Sequence, residues 1–196
     1  MEKMNLLKRK TPATLPVRVL QFGEGNFLRA FVDWMLHEMN KQGKFQGLAQ
    51  LIQPLPVGMA EPINAQDGLY TLILRGIADG KVVEKREVIE SVKGCLNPYE
   101  NWNAVVECAV SDDLRFVFSN TTEAGIVLDR NDHFDGLPES FPGKLTKFLY
   151  ARYEAFRGSA AAGVTLLPAE LVDRNGAVLR ECVLTLSELW NLPEDF

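Results

Sequence analysis

Histidine and cysteine are scarce in this sequence, with two and three residues in a chain of 196. His37 and His133 are too few to build a Cys/His metal cluster with Cys95, Cys108 and Cys182, and the wide cysteine spacing fits no zinc motif. An odd cysteine count at such separations also makes no disulfide framework, so three reduced thiols in a cytoplasmic protein are expected. No apolar run approaches the ~20 residues of a membrane span. The basic start, MEKMNLLKRK, is followed by no apolar stretch with a small-residue cleavage site, so no signal peptide is read. A basic excess is lacking too. Against 26 Asp and Glu stand 21 Lys and Arg, giving a formal charge of −5, which speaks against a nucleic-acid partner.

What is present suits one packed domain with an added arm: 46% of the residues are hydrophobic. Residues 1–16 form a polar arm, and strand and helix signals alternate from residue 17 to 196. Val17-Arg-Val-Leu-Gln-Phe22 is β-prone and ends in glycine. Phe27, Ala30, Phe31, Trp34 and Met35, with Leu36 and Met39 beyond, recur at helical spacing and predict a helix from Asn26 to about Asn40 with that face packed. Leu48 begins a second strand that Pro54 stops near Gln53. The runs 69–77 and 81–92 flank Ala78-Asp79-Gly80, a hairpin signal because the turn needs positive φ. Pro98 opens a helix through Val110, Leu114 to Ser119 reads as a buried strand, and Pro142 leads a helix to about Phe156. A strand over 163–167 and a helix over 176–190 follow. This pattern predicts an α/β fold, a Rossmann-like, doubly wound and mostly parallel sheet with an inserted β-hairpin.

The chemistry begins where the first strand runs into Gly23-Glu24-Gly25-Asn26 and then a helix. Gly23 allows a tight turn and Gly25 lets backbone N–H groups approach a pyrophosphate. Leu28 stands where a third glycine is usual, and Ala30 is the small residue left for close helix packing. An acidic reader of the adenosine ribose belongs at the end of the second strand, yet Gln53 occupies that region. Arg18 and Arg29 do not suggest a 2′-phosphate pocket, so NAD is expected as the cofactor. Ser119, Asn120, Thr121, Thr122 and Glu123 follow a buried strand directly. They offer donors and acceptors to a ribose or a nicotinamide amide, or else cap a strand-end loop. Asp173, Asn175 and Gly176 form a helix cap or a substrate contact. Gln66-Asp67-Gly68 makes a turn, with a contact to the cofactor as the alternative.

The segment Val19-Leu20-Gln21-Phe22-Gly23-Glu24-Gly25-Asn26-Phe27-Leu28-Arg29-Ala30 resembles the coenzyme-binding segment of the polyol-specific long-chain dehydrogenases, the mannitol dehydrogenase family. Gln66 to Thr71, Phe118 to Ile126 and Pro168 to Gly176 agree with that family in order. Mannitol-type members carry Asp-Asn where this chain reads Glu170-Leu171, and Glu-Leu is similar to the uronate branch. The resemblance implies an NAD-dependent enzyme that interconverts D-tagaturonate and D-altronate in hexuronate breakdown. In that reading Glu170 and Asn175 lie on the substrate side. A mannitol or fructuronate reductase of the same family, or a non-catalytic dinucleotide-binding module, are the alternatives. The family's proton-handling Lys-x4-Asn-x2-His pattern, on a helical domain downstream, does not occur in this chain. The expectation is therefore a coenzyme-binding portion that binds nucleotide without turnover and needs a C-terminal helical domain as its partner.

Overall fold

A computed structural model describes residues 6–122 and 124–196; Glu123 of the polar loop lies outside the described residues. The chain runs β1 (Val17–Phe22), α1 (Asn26–Ala30), α2 (Val32–Lys41), β2 (Leu48–Ile52), α3 (Ala60–Ala65), β3 (Tyr70–Ala78) and β4 (Lys81–Ile89). It continues through β5 (Val92–Leu96), α4 (Trp102–Ala109), β6 (Phe116–Ser119), α5 (Phe141–Phe156), β7 (Thr165–Pro168) and α6 (Asn175–Leu189). Five strands form one parallel sheet in the order β5-β2-β1-β6-β7, and β3 and β4 pair separately.

The chain first builds outward from β1 through β2 to β5, then returns to the other side of β1 for β6 and β7. Strand order therefore reverses between β1 and β6, where open α/β sheets bind ligands at the carboxyl edge. The register brings the strand ends level: Leu96 pairs with Ile52, Ile52 with Phe22, Phe22 with Ser119, and Ser119 with Pro168.

Side chains alternate across the sheet and fill two cores. Leu20, Phe22, Ile52 and Val117 pack against α4, α5 and α6 through Val105, Leu145, Phe148 and Leu179. Val19, Ala49, Leu51 and Val92 face the other way, onto Leu28, Val32, Leu36 and Ile63 of α1, α2 and α3. Helices on both faces make the fold doubly wound.

Three local expectations are corrected. The run 81–92 is two strands: β4 ends at Ile89, and after Glu90 and Ser91 the chain re-enters the main sheet as β5. The first helix is kinked at Phe31 and buries Leu28, Val32, Asp33, Leu36 and His37, whereas Phe27 and Phe31 are half exposed and stack on each other at 5.5 Å. Pro98 lies in a turn, and α4 starts four residues later with Asn101 as its cap, the Asn101 side chain accepting from Ala104 N at 3.2 Å. The hairpin agrees with its Asp-Gly signal, with φ 51° at Asp79 and 73° at Gly80.

The arm is clasped to the far side of the sheet from the carboxyl edge. Arg9 donates to Asp67, Glu90 and Val92 carbonyls, and Lys8 pairs with the Asp67 carboxylate at 3.0 Å. Gln66-Asp67-Gly68 is accordingly a turn beside the start of β5. Among the described residues no helix is long and apolar enough to cross a membrane.

Candidate functional site

At the centre of the carboxyl edge the chain leaves β1 through Gly23, whose N–H donates to Ile52 O at 3.0 Å. Gly23 adopts φ +115°, and a Cβ there would stand 2.7 Å from Asn120 O, so the turn lies tightly on the end of β6. Gly25 differs. Its backbone is extended, it is the N-cap of α1, and no side chain caps that helix. A Cβ on Gly25 would meet nothing within 4 Å. The missing side chain therefore leaves an open approach to the uncapped amides that follow. A cleft of about 570 Å³ lies over this turn, walled by Gly23, Glu24, Gly25, Asn120, Thr121 and Ser140. A polyanion that needs close backbone approach fits this arrangement.

Beneath the turn lies a sparsely satisfied polar pair. Gln21 Nε2 donates to Gly23 O at 3.0 Å and reaches Asp33 Oδ2 at 3.4 Å. Gln21 Oε1 and Asp33 Oδ1 are buried without a partner. Burial raises the Asp33 carboxyl to about 7, against the smaller opposing influences of Gln21 and Arg29. Arg29 holds the helix beside the turn. Its guanidinium donates to Glu24 O at 2.9 Å and Asn26 Oδ1 at 2.7 Å and lies over the Tyr70 ring, while Tyr70 Oη donates to Arg29 O at 2.6 Å.

The polar loop after β6 is built around Glu170. This carboxylate is only 3% exposed and accepts from Ser119 Oγ, Thr121 N and Thr121 Oγ1 at 3.0–3.1 Å. Asn120 Nδ2 donates to Ala169 O at 2.7 Å, and Asn175 Nδ2 donates to the carbonyls of Pro168 and Glu170. The side chains of Ser119, Asn120, Thr121, Glu170 and Asn175 thus knit the β6 and β7 ends together. Thr122 is exposed and held at φ 76°, a left-handed conformation that a β-branched residue rarely adopts.

A second cleft, of about 800 Å³, opens over the ends of β2 and β5. Gln53 lines it, but its amide is committed: Oε1 accepts from Ala60 N at 3.1 Å and Nε2 donates to Leu55 O at 2.8 Å. The Cys95 thiol on the same wall is pushed up to about 12 by burial and, next, by the charge of Glu24. Glu24 itself reaches from the glycine turn to the β2–α3 loop, where Oε1 accepts from Met59 N at 3.2 Å. Sequence reasoning counted Glu24 only as a member of the turn. It gave no weight to Asp33, and the anchoring role of Glu170 had no local signal.

His37 lies away from both clefts. Its Nδ1 accepts from Glu90 N at 3.2 Å, and its Nε2 is 3.5 Å from Glu87. Glu87 is already held by Lys41 and Lys85, which lower its carboxyl to about 2. All three cysteines are free thiols.

The chain is similar to known proteins in sequence and in fold. The chain is 50% identical over 194 residues to the altronate oxidoreductase of Halalkalibacterium halodurans, covering 98% of this chain and 38% of that protein. It is 44% identical over 197 residues to the altronate oxidoreductase of Bacillus subtilis, covering 100% of this chain and 41% of that protein. It therefore spans about two fifths of the length of these curated relatives. Among solved structures, mannitol 2-dehydrogenase of Pseudomonas fluorescens, in a ternary complex with NAD and D-mannitol, has a TM-score of 0.77. The identity there is 20%, over 96% of this chain and 41% of that one. A D-sorbitol dehydrogenase in substrate-free form gives 0.73, also at 20% identity, over 95% and 41%. The mannitol dehydrogenase Rossmann domain matches residues 17–196. That match takes in every strand and helix described above, and the chain belongs to the mannitol dehydrogenase family.

Proposed function

We propose that this chain is the coenzyme-binding portion of an NAD-dependent oxidoreductase that interconverts D-tagaturonate and D-altronate by hydride transfer. The observation that carries the coenzyme reading is the glycine turn at the point of strand reversal, with the open side of Gly25 facing a cleft. The substrate reading rests on relatives named altronate oxidoreductase at 50% and 44% identity.

In this reading the backbone from Gly23 to Asn26 holds the pyrophosphate, on a base formed by Val19, Leu20, Gln21 and Phe22. Leu28 packs the helix onto the sheet, and Arg29 with Ala30 fixes its first turn. Phe27 stands half exposed beside the turn. The segment Ser119 to Glu123 borders the nicotinamide side. Since the side chains of Ser119, Asn120 and Thr121 are bonded within the protein, they shape that border, and Thr122 is the exposed hydroxyl. Glu170 and Asn175 act on a substrate through the loop they hold in place. Bound NAD(H) supplies the hydride-accepting or hydride-donating ring. The group that exchanges a proton with the sugar-acid oxygen is assigned to a helical C-terminal domain, and the protein to the bacterial cytoplasm.

The test has two parts. The 196-residue chain is expected to bind NADH saturably, seen as a change in nucleotide fluorescence, and to leave NADH unoxidised when tagaturonate is added. A full-length protein carrying this chain is expected to oxidise NADH faster with tagaturonate than with fructuronate or fructose. Absence of NADH binding refutes the coenzyme reading, and preference for fructose refutes the substrate reading.

A further inference from the structure

We propose that Glu24 is the residue that reads the adenosine ribose. Its carboxylate, carried from the glycine turn to the end of β2, accepts the ribose 2′-hydroxyl and repels a 2′-phosphate. This rests on the dinucleotide reading above.

A ribose lying between the pyrophosphate turn and the second strand needs a hydrogen-bond acceptor at the strand end. Gln53 stands there, but both ends of its amide are bonded within the β2–α3 loop. Glu24 brings a carboxylate to the same loop from the opposite side, with Oε1 3.2 Å from Met59 N. Among the described residues that amide is the one hydrogen-bond donor to its carboxylate, so the second oxygen remains to accept. Gly58 makes the room: a Cβ there would collide with Glu24 Oε1 and stand 2.7 Å from Gln53 Cγ and Cδ. Glu24 lines the cleft over the glycine turn and its Oε1 lies against Gly58 of the β2–β5 cleft, which places the carboxylate at the border of the two clefts.

The surroundings suit a hydroxyl and not a phosphate. Among the described residues the β2–β5 cleft is lined by no Lys or Arg, and its charged members are Glu61 and Glu100. Arg29, which flanks the turn, is spent on Glu24 O, Asn26 Oδ1 and the Tyr70 ring. A 2′-phosphate would therefore meet a fixed carboxylate with no cation offered beside it.

The experiment titrates the 196-residue chain and its Glu24→Gln variant with NADH and with NADPH, following nucleotide fluorescence. In Glu24→Gln the amide oxygen still accepts from Met59 N, and the acceptor facing the ribose becomes an N–H donor. The wild-type chain is expected to prefer NADH, and the variant to lose about ten- to hundredfold of that preference, the worth of one hydrogen bond to a charged group. A measurement on wild type alone guards against a variant that misfolds. The analogue of NADH lacking the adenosine 2′-hydroxyl is expected to bind about tenfold more weakly than NADH. An unchanged NADH/NADPH ratio in a folded variant, or equal binding of the 2′-deoxy analogue, overturns the role of Glu24 and leaves the dinucleotide reading standing. Failure of wild type to bind NADH at all overturns both.

Discussion

Two loops meet at the carboxyl edge of the sheet, and each stands on a buried carboxylate. Beneath the loop after β6, Glu170 is met by three donors. Beneath the glycine turn, Asp33 has a single long contact at 3.4 Å and an oxygen without a partner. In the first loop the side chains of Ser119, Asn120 and Thr121 are used on the protein itself, and Thr122 alone of the described hydroxyls there faces outward. The second is kept open, with uncapped amides above and an under-bonded acid below. Polar residues at a strand end thus signal rigidity on one side of the edge and readiness for a ligand on the other. What separates them is where the donors point.

The largest expected effect comes from Asp33→Asn. Burial holds the Asp33 carboxyl at about 7, so the folded chain keeps a proton that the unfolded chain releases near pH 4. The contribution of Asp33 to stability is then fully present below about pH 4, declines as pH rises to about 7 and is level above. Removing the charge should leave stability unchanged near pH 4 and raise it by roughly 4 kcal/mol at pH 8, read from urea midpoints across that range. A pH-independent difference between variant and wild type would show that Asp33 is better solvated than its burial implies.

Glu170→Ala should act in the opposite direction. It leaves Thr121 N and two hydroxyls without their acceptor, at a cost of about 3 kcal/mol at neutral pH. Glu170→Gln keeps an oxygen for Thr121 and should cost much less. Equal losses for the two substitutions would mean that the charge, not the hydrogen bonds, holds the loop.

The smallest effect on stability should come from Gly25→Ala, within about 0.5 kcal/mol of wild type, because the added methyl meets open space. The same methyl enters the approach to the turn, so NADH affinity should fall about tenfold or more in a fluorescence titration. Loss of stability without loss of binding would erase the distinction between the two loops.

Much of the fold was legible in the sequence because its signals are local. The glycine turn, the Asp79-Gly80 hairpin and the apolar run at β6 each sit within a few residues and agree with the structure. The packed face of the first helix was not legible. From Phe27 to Met39 apolar residues occupy most of the helix circumference, so spacing alone does not say whether Phe31 or Val32 points inward, and the kink at Phe31 shifts the phase. β5 escaped because two residues separate it from β4 and it contains Lys93 and Gly94. Within the site, the turn could be read from its glycines. The bonds of Ser119 and Thr121 to Glu170 span about fifty positions in the chain, and only the pairing of β6 with β7 brings them together.

The hairpin also bears on how the chain finds its fold. A long connection separates Ile52 at the end of β2 from Val92 at the start of β5, and these strands must lie side by side. Closing a wide loop for a parallel pairing is a slow entropic step. β3 and β4 are in register from Tyr70 with Ile89 to Ala78 with Lys81, so a ladder of neighbours can zip from the Asp79-Gly80 turn within about 1–10 μs. Once it has zipped, residues 69 and 90 are adjacent, and the detour between them no longer counts in the search. The inserted hairpin, which adds no strand to the main sheet, shortens the path by which the sheet acquires its outer strand.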